Sequence, residues 1–232
     1  MTEVVIMSTL KIYHGSDYLI SKPEFAKGKS WNDYGRGFYC TESIELAKEW
    51  ACSEEGKDGY ANAYTIDTEG LNVLNLSSDK YNILNWLAIL LQNRKFDLSL
   101  PISIRARDYI VENFGVDISS ADIIIGYRAD DSYFSFAKDF INNGINLEQL
   151  SNAMRLGKLG EQVVIMSERT FDKLVYLEDE TEFADSAIYY PKRVKRDEDA
   201  KKQYLNVDRY DVDLDGLFAN EIVRRKMSND DF

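Results

Sequence analysis

Tyr13-His14-Gly15-Ser16 lies near the start of the chain, where a short strand-like run ends. His14 is the only histidine among the 232 residues. The glycine that follows it predicts a tight turn where a ligand can approach the backbone. A second glycine-rich stretch, Gly35-Arg36-Gly37-Phe38-Tyr39-Cys40-Thr41, opens an aromatic strand that leads into a predicted helix. Two glycine-flanked strand ends, each with a polar ring, predict a site for a planar ligand.

Each piece also has a plain structural interpretation, since a lone histidine or a tyrosine beside a strand is more often structural. The two stretches together, however, resemble a known family in their order and flanks. The first resembles the initial NAD-binding motif of the ADP-ribosyltransferases of the diphtheria-toxin and poly(ADP-ribose) polymerase type. The second, followed by Thr41-Glu42-Ser43 and a helix around Ala47, resembles their second motif. The resemblance is specific over residues 10–52 and points to a small bacterial branch.

The resemblance implies roles for individual residues around NAD, the substrate. Gly15 would offer its backbone N–H and C=O to the nicotinamide carboxamide, and His14 would hydrogen-bond the adenosine ribose. Tyr39 would stack on the nicotinamide ring and belong to the catalytic set. The loop over residues 17–34 would border the dinucleotide. The remaining cofactor-binding positions are Ser16, which would add a hydroxyl contact, Gly37 and Thr41.

The third element of that family is a glutamate at the start of a late strand. Here the strand is Gln162 to Met166, preceded by Glu161. If the strand is apolar from Val163 on, the matching position holds Gln162, which can hydrogen-bond a ribose hydroxyl but brings no charge. Glu161 would face the other side of a regular strand, unless a β-bulge turns it inward. Both residues stay candidates for the catalytic position, and the departure favours mono-transfer or hydrolysis over polymer formation.

Further acidic residues invite a functional interpretation. Arg128, Asp130 and Asp131 follow a buried-looking strand and are candidate contacts for the acceptor or the second ribose, with a solvated turn as the plain alternative. The run Asp211-x-Asp213-x-Asp215-Gly216 resembles the opening of a calcium loop, but position twelve holds Ile222 instead of glutamate. Capping of a helix by an acidic turn is the preferred interpretation there, and no metal site is expected.

The amino-acid composition limits the kinds of protein that this chain can be. A chain with 44% hydrophobic and 29% charged residues is ordinary for a globular domain. The start carries no signal-peptide pattern, no apolar run is long enough to span a membrane, and two cysteines give no disulfide framework. These features predict a cytoplasmic protein with no membrane partner. The net charge of −12 argues mildly against nucleic acid.

The order of predicted elements, with strands at the ends and helices in the middle, indicates an α+β fold. The resemblance implies the split antiparallel β-sheet core of the ADP-ribosyltransferases, with a helical insertion at about 80–157. We place that domain at 8–190 and a charged C-terminal extension at 191–232, where Pro191 opens a basic and then acidic run.

The function that the resemblance implies is NAD-dependent mono-ADP-ribosyl transfer to a protein, by a bacterial toxin or effector. A neutralising antitoxin would be a further partner. Two alternatives stay open: an NAD glycohydrolase, and a catalytically weak module that binds NAD or ADP-ribose.

Overall fold

Two four-stranded β-sheets organise the computed structural model, which describes residues 9–129, 131–155, 161–210 and 216–232. In the first sheet β3 (Gly59–Asp67) pairs antiparallel with β1 (Thr9–Ser16), β7 (Leu174–Tyr176) and β8 (Glu182–Ala184). The second sheet has the order β2 (Phe38–Cys40), β6 (Glu161–Ile165), β5 (Ile123–Tyr127), β4 (Val73–Asn75). Its β4–β5 pair is parallel and its other pairs are antiparallel. The predicted α+β class is confirmed.

The two sheets are joined at the first residue of the first motif, Tyr13, and the last residue of the second, Thr41. The Tyr13 N–H donates to the Thr41 carbonyl at 2.7 Å, and the Thr41 N–H donates to the Tyr13 carbonyl at 2.9 Å. Beside this bridge, side chains of both sheets share one apolar cluster that includes Ile12, Tyr64 and Val163. The bridge therefore fixes the ends of β1 and β2 next to each other.

Eight α-helices surround the sheets within the described ranges. They are α1 (Ile44–Ala51), α2 (Ile83–Asn93), α3 (Pro101–Phe114), α4 (Asp131–Ile141), α5 (Leu147–Ala153), α6 (Glu168–Phe171), α7 (Ser186–Tyr210) and α8 (Ala219–Arg225). Short 3-10 helices cover Glu178–Glu180 and Asn229–Asp231. None of the helices in these ranges is both long and apolar enough to cross a membrane.

Helices α2 to α5 fall within the predicted insertion at about 80–157, but they do not form a separate unit. Helix α2 begins with an Asn82–Asn85 capping box, and its run from Leu84 to Leu91 is buried. That run forms the main core together with side chains of α3, α4 and α5 and with Val164 of β6. The helical region is therefore the layer that covers one face of the second sheet.

The predicted boundary at 190–191 falls inside a helix. Proline lacks an N–H and costs about 3 kcal/mol in a helix interior, yet α7 continues through Pro191. Contacts to the rest of the chain hold it: Arg196 donates to both Glu49 carboxylate oxygens, at 2.8 and 2.7 Å. The C-terminal segment also supplies three buried residues to the main core, Ala200, Ala219 and Ile222.

We predict that Arg196→Ala lowers the free energy of unfolding by about 3 kcal/mol or more, because it leaves the buried Glu49 carboxylate without its charged partner. Lys195→Ala is the matched control in the same helix. Its pair with Asp199 is exposed and screened by solvent, so little change is expected. Urea denaturation measures both variants; equal losses would show that the Arg196–Glu49 pair does not hold α7.

Candidate functional site

A cleft of about 1000 Å³ opens beside the bridge between the sheets. Its lining includes six of the residues predicted from the sequence: His14, Gly15, Gly37, Tyr39, Arg128 and Gln162. They come from the end of β1, the start of β2, the segment after β5 and the start of β6. The fold thus brings both motifs and the late strand to one surface.

The imidazole of His14 is held in one tautomer. Its Nδ1 lies 2.7 Å from the Tyr39 carbonyl oxygen, and because a carbonyl only accepts, Nδ1 must carry the hydrogen. Burial lowers the pKa of His14 below 6.5, an effect that the Tyr39 bond partly offsets. Phe38 stacks on the ring with centroids 4.2 Å apart. A neutral His14 therefore presents Nε2 as a fixed hydrogen-bond acceptor.

Gly15 lies within β1, opposite Ala61, so the tight turn predicted at this glycine is wrong. A Cβ there would lie 2.1 Å from the Ala47 carbonyl oxygen, so only glycine lets α1 pack this closely on β1. Backbone groups of alternate strand residues face the same side. Since the N–H and C=O of Tyr13 both bond to Thr41, those of Gly15 face away from β3 as well. The backbone of Gly15 can thus serve a ligand in the cleft.

Tyr39 lies in the cleft wall with its hydroxyl already engaged. That hydroxyl donates to the Gly35 carbonyl at 2.7 Å and accepts from the Tyr34 N–H at 3.1 Å. It closes a turn in which Gly35 has a φ of +78°, a conformation suited to glycine. Burial raises the pKa of Tyr39, so it remains a neutral phenol. The ring, and not the hydroxyl, is what Tyr39 offers to a ligand.

Two predicted cofactor contacts lie outside the cleft lining. The Ser16 hydroxyl donates to the Tyr18 carbonyl at 2.5 Å and accepts from the Asn62 amide at 3.0 Å. The buried Thr41 hydroxyl accepts from the Ser43 N–H at 3.2 Å, and Ser43 is the N-cap of α1. Ser16 and Thr41 therefore hold the cleft loop and the start of α1 in place.

Whether Glu161 or Gln162 faces the cleft depends on the regularity of β6. The strand pairs with β5 in unbroken register, with Glu161 opposite Tyr127 and Gln162 opposite Gly126. There is no bulge between these positions, so the two side chains face opposite sides. Gln162 is buried in the cleft lining, whereas Glu161 lies outside it.

Asp33 is a component of the site that sequence analysis missed. It is 5% exposed and lines the cleft. Its Oδ2 accepts from the Gln162 Nε2 at 3.0 Å and from the Ala129 N–H at 2.9 Å, while Oδ1 accepts from the Arg94 guanidinium at 3.1 Å. Burial raises the pKa of Asp33, and these donors offset part of that rise. No local pattern marks Asp33, because its partners lie far along the chain.

The predicted acceptor contacts are only partly described. The Arg128 guanidinium lies 4.2 Å from the centre of the Trp50 ring, and both residues line the cleft. Asp130 lies outside the described residues. Helix α4 begins at Asp131, whose side chain is likewise outside them. The predicted acidic turn at 211–215 also lies outside the described residues.

The segment over residues 17–34 forms one wall of the cleft and is anchored to the first sheet. The Ile20 N–H donates to the buried Asn62 amide oxygen at 2.8 Å, and the Tyr64 hydroxyl donates to the Ile20 carbonyl. Farther along, Phe25 packs edge-on against Phe171. Despite its polar, loop-like sequence, this wall is placed by specific contacts.

The charge of the cleft is opposite to that of the chain. Its lining holds six cationic residues and two acidic ones, although the chain has a net charge of −12. Two of the cations are paired within the lining, Lys27 with Glu24 and Arg94 with Asp33. A local excess of positive charge concentrates anions. The six cations are Lys22, Lys27, Lys29, Arg94, Arg128 and Arg193.

The chain belongs to a family described as protein of unknown function (DUF3990), whose profile matches residues 10–177. No curated protein and no solved structure matches the chain. The matched range contains every residue of the cleft lining described above except Arg193, which α7 contributes.

We predict that the pKa of His14 lies below 6.5. Because His14 is the only histidine, its imidazole proton resonance can be followed by NMR without assignment. A depressed pKa in the folded state means that the unfolded chain binds more protons, so stability should fall as pH drops below 6.5. His14→Gln should remove that part of the pH dependence. A pKa at or above 6.5 would contradict the neutral, acceptor form of His14.

Proposed function

We propose that this protein is an NAD-dependent mono-ADP-ribosyltransferase. One observation carries the proposal: His14, Gly15, Gly37, Tyr39 and Gln162, distant in sequence, line one cleft that is cationic in an acidic chain. The first four belong to the two motifs that resemble the NAD-binding motifs of that superfamily. The likeness in sequence and the convergence in space are separate observations, and both favour the same ligand.

The chemistry required of the site matches the groups that it offers. Breaking the bond between nicotinamide and ribose sends its electron pair to nicotinamide, which leaves neutral, and positive charge develops on the ribose. Nicotinamide needs a donor and an acceptor for its carboxamide, which the Gly15 N–H and C=O supply. His14 Nε2 accepts a hydrogen bond from a ribose hydroxyl. Groups set in place before the reaction stabilise the charged state without reorganising.

The cationic lining suits the pyrophosphate of the dinucleotide. Arginine and lysine bind phosphate oxygens through charge-assisted hydrogen bonds. Lys22, Lys29, Arg128 and Arg193 approach the cleft from the loop wall, from the segment after β5 and from α7. The arrangement therefore favours an anionic ligand over a neutral one.

A protein is the proposed acceptor. Its nucleophile attacks the ribose carbon that nicotinamide has left and loses a proton to solvent, which balances the transfer. The loop wall exposes large apolar side chains beside the cleft, with Tyr18 at 62%, Leu19 at 54% and Trp31 at 62% exposure. Exposed apolar side chains grouped in one segment are suited to contact with another protein. This surface fits either an acceptor protein or a neutralising antitoxin.

The setting that we propose is that of a bacterial toxin or effector acting in the cytoplasm. Cys40 and Cys52 are both free and buried, which is compatible with a reducing compartment. No metal takes part in the proposed transfer, because nicotinamide is a neutral leaving group.

A second candidate function is hydrolysis of NAD. The observation that favours it is the neutral Gln162, which lines the cleft. By the resemblance, this residue occupies the position that holds a glutamate in the ADP-ribosyltransferases. Without a charge at that position the site has less means of activating a specific acceptor, and water can take its place. If the missing charge at position 162 abolishes catalysis altogether, the protein would be a module that only binds NAD or ADP-ribose.

We predict that incubation of bacterial lysate with the protein and adenine-labelled NAD transfers label to protein and releases nicotinamide. Free nicotinamide without labelled protein would indicate the glycohydrolase. Binding of NAD without release would indicate the non-catalytic module. Neither binding nor release at millimolar NAD would refute the proposed function.

We predict that Gln162→Ala lowers the rate of nicotinamide release by about 10²-fold, as for other contacts made in the transition state. Glu161→Ala is the matched control, since its side chain lies outside the cleft, and its rate should equal that of the parent. If Glu161→Ala is the slower variant, the glutamate supplies the catalytic charge and the assignment of Gln162 is wrong.

A further inference from the structure

A carboxylate lies directly behind Gln162. The side chain at position 162 is neutral, yet the proposed reaction develops positive charge on the ribose. Asp33 Oδ2 is 3.0 Å from Gln162 Nε2, and Asp33 also lines the cleft. Among the described residues of the lining, Asp33 and Glu24 are the acidic ones, and Glu24 is paired with Lys27 on the exposed loop wall.

The contacts of Asp33 indicate whether its carboxyl group is ionised or protonated. The Gln162 amide, the Ala129 N–H and the Arg94 guanidinium all donate hydrogen bonds to it. Protonation of Asp33 would remove the negative charge that strengthens all three of these hydrogen bonds. The network is therefore built for the ionised carboxylate, and Arg94 compensates for the burial of its charge.

The same contacts fix the orientation of the Gln162 amide. Its Nε2 donates to Asp33 and to the Tyr127 carbonyl oxygen at 3.1 Å, and both partners are acceptors. The amide oxygen must therefore be the atom turned away from them. Donation to a carboxylate also polarises the amide and makes its oxygen a stronger acceptor, since bonds in such chains reinforce one another.

We propose that Asp33 is a positioning residue for the reaction: it orients and polarises the Gln162 amide, so that the pair supplies the negative potential that a single glutamate would otherwise provide. The inference rests on the proposed function. Asp33 acts through Gln162 and touches no substrate atom. The amide oxygen of Gln162 is the atom that meets the ribose hydroxyl.

A double-mutant cycle with nicotinamide release as the readout tests this inference. Asp33→Asn removes the charge with little change in volume and should lower kcat about 10- to 100-fold, with KM for NAD little changed. In a Gln162→Ala background the same substitution should cost nothing further, because the amide through which Asp33 acts is absent. Equal losses in both backgrounds would mean a merely structural Asp33 and would overturn the inference.

A second variant keeps the test decisive if Asp33→Asn does not fold. Gln162→Glu leaves the Asp33–Arg94 pair intact and places two carboxylates side by side, which raises the pKa of one of them. Its kcat should therefore acquire a pH dependence that the parent lacks. An unchanged pH profile would overturn the inference while leaving the proposed function standing. Failure of the parent protein to release nicotinamide would overturn both.

Discussion

The buried carboxylate of Asp33 connects its own loop to three other parts of the chain that line the cleft. It accepts hydrogen bonds from Arg94 at the end of α2, from Ala129 after β5 and from Gln162 at the start of β6. A carboxylate removed from water is costly unless it is fully hydrogen-bonded. The requirement to satisfy Asp33 therefore fixes the relative positions of these segments, and with them the shape of the site.

A second shared acceptor reinforces this arrangement. The Tyr127 carbonyl oxygen accepts from the Tyr34 hydroxyl at 2.7 Å, the Trp86 indole at 3.1 Å and the Gln162 amide at 3.1 Å. Gly126 makes room for it, since a Cβ there would lie 2.4 Å from the Tyr34 hydroxyl oxygen. Two large aromatic side chains of the core, Tyr34 and Trp86, thus share one acceptor with Gln162, which lines the cleft. Stability and the site share one network, so substitutions at its centre affect both.

The sequence was sufficient to predict what short-range patterns determine. The order of the predicted elements indicated the α+β class, and the helix predicted around Ala47 is α1. The two glycine-rich motifs also located His14 and Tyr39, which line the cleft. Asp33 could not be found in this way, because its role is created by residues distant in sequence. Helix α7 was missed for a related reason: Pro191 is a local breaker, and the contacts that outweigh it are long-range.

Calorimetric titration of the protein with NAD, in the presence of excess chelator, measures directly whether the cleft binds the dinucleotide. We expect binding that is independent of metal, weakens as salt screens the cationic lining, and weakens again in His14→Ala. The salt dependence separates recognition of the pyrophosphate from hydrogen bonds to the uncharged carboxamide of the nicotinamide. Absence of binding at millimolar NAD, or binding of equal strength in His14→Ala, would contradict the assignment of this cleft as the dinucleotide site.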